Sequence, residues 1–173
     1  NFEKIKNFKD IKICFEVNLE NIVEHGIIPD YIMTMELYVR PDDFFKENIV
    51  KQCREKSKVI CSAITHQSVI NRLEAVGIPY TRWISPEEPR FANVGTFGMV
   101  YAKQVLNADK IFLVGFEHDG VKEDEKVYEY WCYDFWYFVR KWPKETIVNC
   151  TNAGALYDSD YILDSDLVSL VVK

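Results

Sequence analysis

The residues Asn93-Val94-Gly95-Thr96 stand just ahead of an apolar stretch with helical spacing that begins near Phe97. A helix starting there offers an anion unpaired backbone N–H groups and the positive end of its dipole. Gly95 would let a phosphate approach the main chain, and Asn93 or Thr96 could add a side-chain hydrogen bond. The same residues also suit ordinary helix capping, and the stretch is neither a P-loop nor a G-x-G-x-x-G turn. Further on, the apolar run "KIFLVGF" ends in Gly115-Phe116-Glu117-His118-Asp119. Two flanking carboxylates would raise the basicity of His118 and orient it as a general base, although an exposed histidine in an acidic turn has the same neighbours. His66, after "CSAIT", is a second candidate base at the opening of a helix. Glu36 ends an apolar strand, where a carboxylate could hold a ribose hydroxyl or a metal, or simply meet water. The acidic stretch "DSDYILDSD" (158–166) lacks the glycine and terminal glutamate of a calcium loop. It reads as solvated turns, and no metal site is assigned.

These side chains need elements to position them. Apolar runs with the composition of buried strands recur at 11–17, 31–37, 58–64, 110–116 and 146–150. Helical patterns separate them, at 19–25, 43–55, 66–76, 96–107 and 123–140. Gly26, Pro29 and the Gly77-Ile78-Pro79 turn mark boundaries. Strands alternating with helices predict an α/β fold: a Rossmann-like, doubly wound, mostly parallel sheet with helices on both faces, in a single domain over 1–173. In such sheets ligands bind outside the carboxyl ends of the strands. That rule nominates Glu16 and Asn18, Glu36, the segment from Ser62 to His66, the segment from Gly115 to Asp119, and Asn149, Thr151 and Asn152.

Composition narrows the partners. With a net charge of -6 and scattered lysines and arginines, the 173-residue chain has no basic stripe for a phosphate backbone, so nucleic acid is not expected. The five cysteines form no C-x-x-C pair and read as reduced, buried thiols of a cytoplasmic protein. No apolar run approaches the roughly 20 residues of a membrane span, and the opening "NFEKIKNFKD" is too polar for a signal peptide. The stretch "VYEYWCYDFWYFVRKW" (127–142) carries four tyrosines, three tryptophans and two phenylalanines. A helix aromatic on all sides must turn some rings toward a ligand, a lid or a second copy of the chain, and a homo-oligomer contact is expected there.

The order of these motifs resembles the MptE-like family. A strand and a helix lead into "GIIPDYIMTMEL", where the family has a "GI-x-PD" turn and a strand ending in an acidic residue. "FANVGTFGMVYAKQVLNADKIFLVGFEHDG" is similar to the family's later helix and "KIYLVG-x-D" strand, and "IVNCTNAGALYDSDYI" to its closing strand and loop. The core is also similar to bacterial sialyltransferases. The resemblance implies phosphate binding by Gly95 and Thr96, acidic strand ends at Glu36 and Glu117, and a pocket lined by Asn149, Thr151 and Asn152. It places the family's first strand and glycine-rich phosphate loop before residue 1. Glu16 stands where relatives have an Asn or Asp that meets the nucleotide. Residues 120–142, where sialyltransferase-like enzymes carry their catalytic histidine, contain none, which leaves His118 or His66. The implied function is a transferase that binds a nucleotide-sugar of the CMP-sugar type, a glycosyltransferase in surface-glycan or polysaccharide synthesis acting on a glycan acceptor. One alternative is pyrophosphoryl transfer from ATP to a pterin-like alcohol, with Mg²⁺ between Glu36 and Glu117. Another is a non-catalytic member serving in binding or assembly.

Overall fold

The computed structural model describes residues 2–36, 44–86, 91, 93–115 and 134–151, and the backbone alone at 163–164. They fall into two compact units, Asn1–Glu88 and Pro89–Lys173.

The first unit runs α1 (Phe2–Asn7), β1 (Ile13–Phe15), a 3-10 turn (Glu16–Asn18), α2 (Leu19–Glu24), β2 (Tyr31–Thr34), α3 (Glu47–Cys53), β3 (Lys58–Ser62), α4 (Gln67–Val76) and β4 (Tyr80–Trp83). The four strands are parallel and ordered β1-β2-β3-β4. Each successive pair is joined through a helix, the connection that parallel neighbours require. The chain is therefore α/β, as the alternation of strand and helix patterns predicts. Cys14 pairs with Ile32 and Ile32 with Val59, which puts these three and Cys61 on one face of the sheet. There they join one core with Leu19 and Val23 of α2, Ile49, Val50 and Cys53 of α3, and Val69, Ile70, Leu73 and Val76 of α4. Met33 and Ile60, on the opposite face, are also fully buried, so both faces are covered. This explains why β2 and β3 read as continuous apolar runs rather than alternating ones.

Gly77 ends α4 in the left-handed region at φ 68°, and its amide and that of Ile78 return to Leu73 and Glu74 carbonyls. The apolar runs at 11–17, 31–37 and 58–64 shorten to strands of three to five residues. β4 falls outside the runs nominated as strands. Its sequence Tyr-Thr-Arg-Trp ends the order of the sheet and is half exposed, so it carries no apolar signature.

The second unit contains α5 (Val94–Gln104), β5 (Ile111–Leu113), a helical stretch at 134–139, a 3-10 turn (Lys144–Thr146), β6 (Ile147–Asn149) and β7 (Leu163–Asp164). β5, β6 and β7 are parallel and lie in that order. Leu163 and Asp164 thus belong to a strand, within an acidic stretch whose composition suggests only turns. α5 is buried continuously from Gly95 to Ala102, a helix enclosed on all sides rather than amphipathic. Phe91 stacks on Phe138 and meets Phe97 edge-on, and Phe135 and Phe138 are buried. In the described half of the aromatic stretch, then, the phenylalanines fill the core. Tyr137 faces outward beneath the Lys141 ammonium, 4.1 Å from its ring centroid. Among the described residues no helix is long and apolar enough to cross a membrane.

Candidate functional site

Each unit gathers polar side chains at the carboxyl ends of its strands. In the first, the backbone stays extended only to Phe15 and then turns into the 3-10 segment. That turn separates Glu16 from Asn18: Glu16 is 3% exposed, whereas Asn18 caps α2 from an exposed position without a side-chain hydrogen bond. The two do not share one side of an extended strand. Burial, above all, pushes the Glu16 carboxyl up from 4.5 to about 8. A backbone hydrogen bond works against that rise, while the charge of Glu36 and its hydrogen bonding to Glu16 add to it. The structure therefore brings together two of the nominated carboxyls, from the ends of β1 and β2.

Thr34 completes this corner, although nothing in the motif reading singled it out. It follows Met33, the register partner of Phe15, at the end of β2, and it is fully buried. Its carbonyl accepts from Thr65 Oγ1 at 3.1 Å, and Thr65 in turn hydrogen-bonds Ser62 Oγ at 3.3 Å. Its own Oγ1 and Oε2 of Glu16 are buried without a hydrogen-bond partner. A hydroxyl inside the apolar run "YIMTMEL" was the available signal, because a buried Thr needs somewhere to direct its oxygen. Burial drives the Cys61 thiol up to about 12 against the opposing charge of Arg82, with Glu16 adding to the rise. Burial likewise raises Cys14, helped by Cys53 and Glu16.

His66 lies beside this corner through its main chain, its amide donating to the Glu36 carbonyl at 2.8 Å. Its ring caps α4: Nδ1 accepts from the Ser68 amide at 3.2 Å and pairs with Ser68 Oγ at 2.9 Å. That bond leaves Nε2 to carry the proton of the neutral ring.

In the second unit Asn93 is the N-cap of α5, its Oδ1 accepting from the Thr96 amide at 2.8 Å. The helix thus begins slightly earlier than its apolar spacing suggests. Gly95 and Thr96 are buried, and both Asn93 Nδ2 and Thr96 Oγ1 are buried without a partner. Across the ends of β5 and β6, Gly115, at φ 72°, donates its amide to Thr151 Oγ1 at 3.0 Å. The Thr151 amide donates to Oδ1 of the fully buried Asn149, also at 3.0 Å. Gly115, Asn149 and Thr151 therefore form one hydrogen-bonded strand-end cluster, as their sequence positions suggest. Glu117, His118, Asp119 and Asn152 lie outside the described residues. Among the described residues no three His, Cys, Asp or Glu side chains converge as a metal site would require.

No protein-family model, curated protein or solved structure matches the chain.

Proposed function

We propose that this chain is a cytoplasmic transferase of the MptE-like type that binds a nucleotide-sugar, a glycosyltransferase of surface-glycan synthesis. The observation that carries the reading is the pair of orphaned groups at the start of α5. Asn93 spends its oxygen on the helix cap, which leaves its Nδ2 as a donor; Thr96 adds a hydroxyl that is likewise unpaired. Leaving such groups buried and unpaired costs roughly 1–3 kcal/mol each, and a phosphate oxygen would accept from both at the positive end of the helix. The Gly115, Asn149 and Thr151 cluster belongs to the same unit and supplies fixed strand-end polar groups. His118 is the proposed base that deprotonates the acceptor hydroxyl, with Glu117 or Asp119 tuning it.

Pyrophosphoryl transfer is less well supported. It calls for paired ionised carboxylates around Mg²⁺, Glu36 and Glu117, and of these only Glu36 lies within the described residues. Calorimetric titration of the full chain with CMP, a CMP-sugar, a UDP-sugar and ATP tests the proposal. One ligand should bind, and Thr96→Ala should weaken it roughly tenfold, the usual effect of losing one hydrogen bond to a charged group. Absence of binding to all four would overturn it.

A further inference from the structure

We propose that the start of α4 is a proton-sensitive joint: His66 caps the helix only while its ring is neutral, and protonation releases the cap and loosens the tie between α4 and the end of β2. Only the first unit is involved, and nothing bound at α5 enters.

The hydrogen bonds fix the chemistry of the ring. A backbone amide can only donate, so the Ser68 amide at 3.2 Å requires Nδ1 to accept, and the Ser68 hydroxyl at 2.9 Å then donates to the same atom. Protonated, Nδ1 would carry a hydrogen facing two donors, and the cap would be lost. Helices ordinarily draw their caps from Ser, Thr, Asp or Asn. α5 does so with Asn93, whose amide oxygen accepts from the Thr96 amide and does not titrate. α4 instead uses histidine, whose ring changes charge between roughly pH 8 and pH 5. His25 has the opposite arrangement at the C-terminal end of α2. Its Nδ1 meets the Asn21 carbonyl at 2.7 Å, which can only accept, so that bond survives whether the ring is neutral or charged.

The cap stands where the helix is tied to the sheet. Thr65 Oγ1 donates to the Thr34 carbonyl at 3.1 Å, the His66 amide donates to the Glu36 carbonyl at 2.8 Å, and the His66 carbonyl accepts from the Val69 amide at 3.1 Å. One residue thus joins the strand end, the first helical turn and the cap. The charged groups around it pull in both directions. Glu36, at the end of β2, favours a positive ring; Arg82 of β4, which reaches the first turn through Gln67 Oε1 at 3.3 Å, opposes it. α4 has no acidic side chain in its first turn, and the positive pole of the helix also opposes a charged ring. Further along α4, Arg72 donates to the Phe45 carbonyl and Glu74 accepts from the Tyr80 hydroxyl. His66 is exposed, so water screens all of these charges, and the hydrogen bonds at Nδ1 decide the response.

The test compares the full chain with His66→Asn, which keeps a cap that does not titrate, and His66→Ala, which has none. At pH 7.5 the 15N shifts of the His66 ring should show the Nε2–H tautomer. On lowering the pH to 5.5, the hydrogen-exchange protection factors of the Ser68 and His66 amides should fall roughly fivefold in the native chain, the equilibrium change that loss of an N-cap brings. Protection at these positions should hold in His66→Asn and be low at both pH values in His66→Ala. In urea, the midpoint advantage of His66→Asn over the native chain should grow as the pH falls; other titrating groups, Glu16 among them, are common to both chains and cancel in the difference. An Nδ1–H tautomer, native protection that holds at pH 5.5, an equal fall in His66→Asn, or parallel urea profiles would each overturn the inference.

Discussion

Glu16 shows how one turn of backbone can set the chemistry of a side chain. Had the strand continued past Phe15, Glu16 and Asn18 would share one side; the 3-10 turn instead buries the first and exposes the second. The proton that Glu16 retains couples to folding. Below its ordinary value of 4.5, folded and unfolded chains both hold the proton. Between 4.5 and about 8 only the folded chain does, so stability falls as pH rises through that window and levels off above it. Urea denaturation of Glu16→Gln should accordingly show a midpoint advantage over the native chain that grows from pH 5 to pH 8. Parallel pH profiles for the two would refute the coupling. Both carboxyls were legible in the sequence as strand ends. Their meeting was not, because it depends on neighbouring parallel strands ending in register, and the same holds for the orphaned hydroxyl of Thr34.

At the scale of elements, the start of α5 combines a structural role and a candidate ligand role in one side chain. Asn93 Oδ1 caps the helix while Nδ2 points to no partner within the protein. Asn93→Ala should cost about 1 kcal/mol of stability in denaturant melts, the usual loss of an N-cap. Asn93→Asp keeps the cap oxygen and favours the helix dipole, so it should fold at least as stably. It should nevertheless weaken any nucleotide bound there, having exchanged a donor for a negative charge. A capping role alone would predict unchanged binding in Asn93→Asp. The sequence located this helix start because capping residues and glycine are local signals. It missed β4 because a half-exposed edge strand lacks the apolar run that marks an enclosed one. β7 escaped because its pairing with β6 is a long-range fact hidden in an acidic stretch.

At the scale of the molecule, the α/β organisation was legible because buried parallel strands and the helices between them differ so plainly in composition. The core of the first unit draws all of its members from residues 14–78. Leu73, fully buried on α4, is central to it, and Leu73→Ala should cost about 2–5 kcal/mol. The thiols supply the means to watch that loss. Cys14, Cys53, Cys61 and Cys150 are buried thiols outside any disulfide, and desolvation holds the first three in their unreactive protonated form. Under iodoacetamide the native chain should label these positions slowly, and Leu73→Ala should speed alkylation at Cys14, Cys53 and Cys61; unchanged rates there would contradict the assigned core. Each buried sulfur is thus a clock that starts only when its surroundings open, three of them in the first unit and Cys150 in the second.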